Sequence, residues 1–237
     1  VGGSGGLRAG GDGCFLMIRR PPRSTRKESS AASDVYKRQM FDKQVMINVF
    51  NNLLAQSKKS YDEFNAADGK IGDGDLGITI LNGLEEINNN IEKFTDDLST
   101  NFMICSQAFV KKSGSSFGTL IAFSFMNISK NLKGKNTCDH KDIVNIIDTA
   151  MSTIQERGKT KVGDKTILDT LNFISRNLKA TKNNINYPEL FKSSANEALN
   201  AFKGKKILIG RARMFEDKTK DLDDPGMLAL HKLCEAF

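Results

Sequence analysis

The chain has 237 residues, 39% of them hydrophobic, which is enough for one sizeable domain or two small ones. Its four cysteines are scattered without a CxxC pair and it has only two histidines, which argues against a disulfide framework and a histidine-rich metal site. The formal net charge is +7, but residues 1–39 carry eight of the 35 Lys/Arg and three of the 28 Asp/Glu. The nearly neutral remainder lacks the basic surface that binds nucleic acid, and no apolar run is long enough to span a membrane.

Residues 1–39 show no helical or strand periodicity and are set aside in predicting the fold. They begin with a glycine-rich, linker-like run and continue with Cys14 to Arg26, which resembles translated sequencing-adapter sequence. The alternative is a cationic targeting arm or a nucleic-acid-binding tail. A signal peptide fits poorly, because the apolar core spans only Phe15 to Ile18. We therefore predict that residues 1–39 are a non-native or disordered segment, and that Met40 opens a domain over residues 40–237.

From Met40 onward, apolar residues recur at steps of three and four, which is typical of amphipathic helices. Thr95 or Asp96 is predicted to cap the third helix, and Asp164 the sixth. Residues 206–209 are a sparse strand candidate that would equally end a helix. The pattern predicts an all-α fold, an antiparallel bundle or barrel of about eight helices. Their approximate positions are 40–54, 78–91, 96–110, 117–132, 141–154, 165–174, 188–202 and 225–237.

The loop between the first two predicted helices carries Asp68, Asp73 and Asp75 among several glycines. Glycine permits tight backbone turns, so these carboxylates can converge, and their mutual repulsion would then be relieved by a cation. Oxygen ligands of this kind suit Mg²⁺ or Ca²⁺, although the spacing does not fit an EF-hand. The alternative is a solvated acidic turn.

Three further loops carry groups that suit phosphate binding. Residues 112–119 are rich in glycine and serine before an apolar helix, whose free N–H groups would favour an anion. Residues 157–166 are basic, and Arg211 precedes an acidic turn at residues 223–226. Taken singly, each is explained equally well as an ordinary connection between helices. Gathered at one end of a bundle, they would provide the metal, phosphate and arginine groups of phosphoryl transfer.

Five ordered motifs make residues 40–237 resemble the L subunit of dihydroxyacetone kinase, the DhaL-type nucleotide-binding domain. They are D-x-x-I-G-D-x-D-x-G at 68–77, S-G-x-x-F-G-T at 113–119, R-G-K-x-x-x-G-D-K-T at 157–166, G-R-A at 210–212 and D-P-G at 224–226. The chain departs from the family at Leu76, where members often have histidine, at Lys112 and in residues 214–220. These departures leave the acceptor sugar open.

The resemblance implies an eight-helix barrel with a nucleotide, ATP or ADP, at one end. Asp68, Asp73 and Asp75 would bind two magnesium ions, and Arg211 would act in catalysis as well as in nucleotide binding. The other implied nucleotide-binding residues are Leu76, Gly77, Ile78, Thr79, Lys112, Ser113, Gly158, Ile167, Asp224, Pro225 and Gly226.

The implied activity is glycerone kinase activity: phosphoryl transfer to dihydroxyacetone held on a separate K-type subunit. The donor would be ATP, or ADP recharged in place by a phosphotransferase-system phosphocarrier. The resemblance further implies a cytoplasmic homodimer or hetero-oligomer without nucleic-acid or membrane partners. The alternatives are a kinase subunit for another small ketose such as erythrulose, and a non-catalytic nucleotide-bound regulator.

Overall fold

The structure, a computed structural model, describes residue 2 and residues 40–181 and 185–237. Apart from Gly2, residues 1–39 lie outside this part of the chain, so the prediction that they are non-native stays a prediction. Among the described residues no helix is long and apolar enough to cross a membrane. Cys105, Cys138 and Cys234 are buried free thiols, as the scattered cysteines indicate.

The described part of the chain is almost entirely helical, which confirms the predicted all-α class. A short antiparallel pair joins β1 (Phe41–Asp42) to β2 (Thr137–Cys138), and 3₁₀ turns cover Ile91–Lys93 and Arg211–Thr219. The α-helices are α1 (Lys43–Lys59), α2 (Tyr61–Gly69), α3 (Leu76–Asn88), α4 (Leu98–Lys112), α5 (Ser116–Asn131), α6 (His140–Gly158), α7 (Ile167–Ala180), α8 (Tyr187–Ala201) and α9 (Pro225–Cys234).

Three local predictions are corrected. Helix α2 was not predicted, because Phe64 is its single buried side chain and one apolar residue makes no periodic stripe. Phe41 falls within the predicted first helix (residues 40–54) but lies in β1, because Asp42 caps α1 by accepting the N–H of Val45. Residues 206–209 form neither strand nor helix.

The predicted helix caps lie one or two residues from the observed ones. Asp97 caps α4 by accepting the N–H groups of Ser99 and Thr100. Thr166 caps α7, and Asp169 completes a reciprocal capping box by accepting the N–H of Thr166. Asp164 instead accepts the N–H of Lys161 inside the preceding loop.

The helices pack in a ring around the core. Going round it, α1 contacts α3, each helix from α3 to α8 contacts the next along the chain, and α9 packs against α8, α7, α2 and α1. The largest apolar cluster lies between α1, α3, α4 and α5 and contains edge-to-face and tilted aromatic pairs of Phe125 with Phe50, Phe102 and Phe109. Residues of the loops at 68–75, 114–116, 158–167 and 209–226 line one common cavity.

Candidate functional site

The three predicted carboxylates converge. One oxygen from each of Asp68, Asp73 and Asp75 lies within 4.8 Å of the other two. Asp68 stands in the last turn of α2, and the other two lie in the loop that leads to α3. The loop is folded onto Asp68, whose Oδ2 accepts the N–H groups of Gly74 at 2.8 Å and Asp75 at 3.1 Å. Gly74 has a φ of +75°, the left-handed region that favours glycine.

Asn65 completes this arrangement, and the sequence motifs do not include it. Its Oδ1 accepts the N–H groups of Gly77 at 2.7 Å and Ile78 at 3.3 Å, in the first turn of α3. Asn65, which belongs to α2, therefore caps the N-terminus of α3. Asp75, the residue at the N-cap position, makes no side-chain cap bond. The available signal was spacing, since Asn65 and Asp68 are three residues apart on α2 and so share a face.

The electrostatics of the cluster are uneven. The guanidinium of Arg211 contacts Asp73 and, through this hydrogen bond, lowers the pKa of the Asp73 carboxyl. Burial raises the pKa of Asp75, and the charges of Asp73 and Asp68 raise it further. One guanidinium against three carboxylates leaves an excess of negative charge on hard oxygen donors. This donor set fits a divalent cation of the magnesium type.

The carboxylates border a cavity of about 850 Å³ whose walls come from every loop that the motifs mark. Its polar lining residues include Ser115, Ser116 and Arg157, and its apolar ones include Leu120, Phe123 and Ile154. The predicted site residues that line it are Asp68, Asp73, Asp75, Leu76, Gly158, Ile167, Arg211, Asp224, Pro225 and Gly226.

Two stretches of predicted nucleotide contacts do not line this cavity. In α3, Gly77 and Thr79 are buried and Ile78 is 43% exposed. A Cβ at Gly77 would lie 2.5 Å from the carbonyl oxygen of Tyr61, so this residue is a packing contact between α2 and α3. The hydroxyl of Thr79 donates to Ser115 at 2.9 Å. Only the first residue of α3, Leu76, reaches the cavity wall, because the following turn packs against α2 and the start of α5.

The loop after α4 shows the same difference. Lys112 Nζ lies 3.9 Å from Glu86 Oε2, and the Ser113 hydroxyl lies 3.3 Å from that of Ser115, neither side chain lining the cavity. The wall at this place is formed by the next residues, Gly114, Ser115 and Ser116. Lys112 lies outside the cavity lining because α4 runs on to this residue and its side chain pairs with Glu86. The role of Lys112 and Ser113 in nucleotide binding stays a prediction.

Arg157 is a lining residue to which the sequence reasoning gave no role, although it stands in a quoted motif. Its guanidinium lies 3.9 Å from the centre of the Phe123 ring, a cation–π contact that fixes it beside the apolar wall. Asp224, which caps α9 by accepting the N–H of Met227, also faces this region. Burial raises the pKa of the Asp224 carboxyl to about 7.

These features define a class of protein: an all-α barrel with a carboxylate cluster and an arginine at the mouth of a cavity. The family model described as the DAK2 domain matches residues 70–237, and the chain belongs to this family. The match begins after Asp68 and covers the other motif residues of the site.

Curated relatives include "PEP-dependent dihydroxyacetone kinase 1, ADP-binding subunit DhaL" of Listeria innocua, 28% identical over 76% of this chain and 86% of that protein. The "PTS-dependent dihydroxyacetone kinase, ADP-binding subunit DhaL" of Lactococcus lactis is 29% identical over 68% of this chain and 80% of that protein. The "Triokinase/FMN cyclase" of Bos taurus is 27% identical over 74% of this chain and 31% of that protein.

Among solved structures, the dihydroxyacetone kinase of C. freundii in complex with AMP-PNP and Mg²⁺ has a similar fold, with a TM-score of 0.63 and 22% sequence identity. The match covers 80% of this chain and 32% of that one. This chain therefore spans about a third of the C. freundii kinase, and the likeness establishes the fold.

Proposed function

We propose that this chain is the nucleotide- and magnesium-binding subunit of a dihydroxyacetone kinase. The observation that carries the proposal is the meeting of Asp68, Asp73 and Asp75 at the rim of a cavity of about 850 Å³, with Arg211 beside them. Two relatives named ADP-binding subunits and a kinase of similar fold in complex with AMP-PNP and Mg²⁺ support it.

The lining residues suit the parts of a nucleotide. Leu120, Phe123, Ile154 and Ile167 offer an apolar wall for the base. Arg211, with the start of α5 at Ser116, offers positive charge for the phosphates. Asp68, Asp73 and Asp75 would hold two magnesium ions, which neutralise phosphate charge when they are bound. Phosphoryl transfer asks little more of a protein than this positioning and charge stabilisation.

For the donor, we propose ADP that stays on the subunit and is rephosphorylated in place by a phosphotransferase-system phosphocarrier. The names of the Listeria and Lactococcus relatives, PEP-dependent and PTS-dependent, support this route. Exchange of ATP with solution is the alternative. Native mass spectrometry of the purified protein, before and after incubation with labelled ATP, distinguishes them: retained unlabelled ADP supports the first route, and replacement by label the second.

For the acceptor, we propose dihydroxyacetone bound to a separate K-type subunit, in a cytoplasmic assembly. A second candidate acceptor is another small sugar, and the Bos taurus relative, which is named a triokinase, supports this alternative. Mixing this chain with a K-type subunit, and offering dihydroxyacetone or erythrulose in turn, tests both. Nucleotide binding without phosphoryl transfer to any acceptor would instead indicate a non-catalytic regulator.

The decisive experiment is titration of the full chain with ADP, with and without Mg²⁺, by calorimetry. We expect tight binding only when both are present, because the carboxylates repel the phosphates unless the cation lies between them. Glu92→Gln, which neutralises an exposed acid far along the chain from the cluster, is the control and should bind normally. Binding of ADP that is indifferent to Mg²⁺, or no binding, would overturn the proposal.

A further inference from the structure

Lys165 is a fully buried lysine in the loop before α7, with a relative exposure of 1%. Among the residues that the structure describes, no carboxylate lies within ion-pair distance of its ammonium. All three of its N–H groups go to backbone carbonyls: Lys205 at 2.8 Å, Thr219 at 3.2 Å and Leu222 at 2.6 Å. Taking a lysine out of water costs free energy, and burial accordingly lowers the pKa of Lys165.

The three carbonyls belong to one piece of chain, which we call the Arg211 segment (residues 205–222). They lie at both of its ends, so a single ammonium ties its first and last residues together. The segment has little regular structure beyond its 3₁₀ turn, in which Glu216 has a left-handed φ of +43°. Such a segment depends on contacts outside itself to hold one conformation.

The same segment forms one wall of the cavity. Ile209, Gly210, Arg211 and Ala212 line it, and Arg211 contacts Asp73 of the carboxylate cluster. Beneath that wall, Ile207 and Ala212 form a small buried cluster with Ile71 of the carboxylate loop. The N–H of Leu208 also donates to the carbonyl of Asp164, next to Lys165, at 3.1 Å. Lys165 thus stands behind the wall, attached to the chain that places the guanidinium.

We propose that Lys165 is a positioning residue for the site: its ammonium fixes the Arg211 segment, and through it sets Arg211 against the carboxylate cluster. The choice of Mg–ADP as the ligand rests on the proposed function. The role of Lys165 in fixing the Arg211 segment rests on the structure alone. A left-handed φ of +61° at Lys165 fits this role, because a non-glycine residue holds that costly conformation only where surrounding contacts impose it.

The test compares Lys165→Met, which keeps the apolar stem and removes the ammonium, with Lys161→Met, which removes an exposed ammonium from the same loop. Hydrogen exchange is measured at the amides of Ile207 and Leu208, whose N–H groups are bonded to Thr219 Oγ1 and to the Asp164 carbonyl. We expect exchange there to speed up by at least about tenfold in Lys165→Met, with α4 unchanged. Unchanged exchange at these amides would overturn the proposal.

The second measurement is Mg–ADP affinity in a double-mutant cycle with Arg211→Ala. Lys165→Met alone should weaken Mg–ADP binding by at least about tenfold, because each hydrogen bond to a charged group that is lost contributes a large free energy. In the Arg211→Ala background it should have almost no further effect, since it acts through Arg211. Full additivity, or a lower unfolding midpoint with unchanged affinity, would show that Lys165 only stabilises the fold.

The design distinguishes failure of the proposed function from failure of the proposed role of Lys165. If the wild-type chain does not bind Mg–ADP, the proposed function fails, and hydrogen exchange alone decides whether Lys165 holds the Arg211 segment. If Lys165→Met does not fold, Lys165→Gln, which keeps N–H donors on a shorter stem, takes its place with the same two measurements.

Discussion

At the scale of the residue, the contact between Arg211 and Asp73 places one positive charge against the carboxylate cluster in the free protein. Both side chains are more than half exposed, at 62% and 51%, so water screens the pair and the contact contributes little to stability. It is therefore readily exchanged. If Mg–ADP binds as proposed, Asp73 would be free to ligate the cation and the guanidinium to contact phosphate, with little free energy lost in separating them.

Asp73→Asn tests the metal assignment. The amide keeps the shape of the side chain and loses a negative ligand, so Mg–ADP affinity should fall by at least about tenfold, the loss seen even for groups behind a metal ligand. The free protein should keep its unfolding midpoint, because the relief of repulsion offsets the lost contact with Arg211. Thermal unfolding with and without Mg–ADP measures both effects. A full ligand-induced shift in the variant would remove Asp73 from the proposed metal site.

Arg211→Lys tests whether geometry matters beyond charge. A planar guanidinium contacts two phosphate oxygens at once, and an ammonium does not, so phosphoryl transfer in the reconstituted kinase should fall by about tenfold or more. Arg213→Lys, at an exposed neighbour in the same segment, is the matched control. Equal rates for the two variants would make Arg211 a surface or partner-interface residue.

At the scale of the element, the site depends on one helix capping another. Asn65 of α2 accepts the first N–H groups of α3, so the carboxylate of Asp75 is not consumed by its own helix. Packing reinforces this, because a Cβ at Gly77 would lie 2.7 Å from Asn65 Oδ1. The start of α3 and the carboxylate loop consequently form one rigid unit with α2.

Asn65→Ala should lower the free energy of unfolding by about 1 kcal/mol, the usual effect of removing an N-cap. It should also weaken Mg–ADP binding, since Asp75 is then drawn toward the unsatisfied N–H groups. Urea unfolding and calorimetry measure the two effects. Asn51→Ala, at an exposed position of α1, is the control. Equal affinity in Asn65→Ala and the wild type would mean that the cap does not hold the cluster.

At the scale of the whole molecule, closure of the ring by α9 creates the environment of Asp224. A Cβ at Gly226 would meet Asp224, Ile167 of α7 and Phe117 of α5 within 3.5 Å. Residues from two other helices, α5 and α7, thus lie against the start of α9. Burial there raises the pKa of Asp224 to about 7. The negative charge of Asp169 also raises it, whereas the positive charge of Lys165 lowers it.

This raised pKa predicts a pH dependence of stability. From the ordinary value of 3.8 up to about 7, the unfolded carboxyl is ionised while the folded one keeps its proton. Raising the pH through this window therefore lowers the free energy of unfolding, on the order of 4 kcal/mol, with no further loss above it. Asp224→Asn keeps a cap acceptor and does not titrate.

Urea unfolding of both proteins at about pH 4.5 and about pH 7.5 measures the effect. The wild type should lose stability relative to Asp224→Asn as the pH rises. Asp169, whose pKa burial also raises, is present in both proteins. A difference that stays constant with pH would place Asp224 in contact with water.

The sequence by itself determined the helical class, most helix positions and the convergence of the carboxylates. Helices such as α7 and α9 follow from apolar periodicity with polar caps, which are local properties of the chain. The cluster followed from spacing, because Asp68, Asp73 and Asp75 are close along the chain and glycine lets the loop turn.

Only the tertiary structure decided which loops meet and what each residue does there. Arg211 meets Asp73, and Lys165 meets its three carbonyls, across long separations in sequence that only the folded chain brings together. Three predicted residues lie outside the cavity lining because of their contacts with other segments. The side chain of Thr79 donates to Ser115, that of Lys112 pairs with Glu86, and that of Ser113 lies close to Ser115. A motif records which residues are present, whereas side-chain direction depends on packing between segments far apart in sequence.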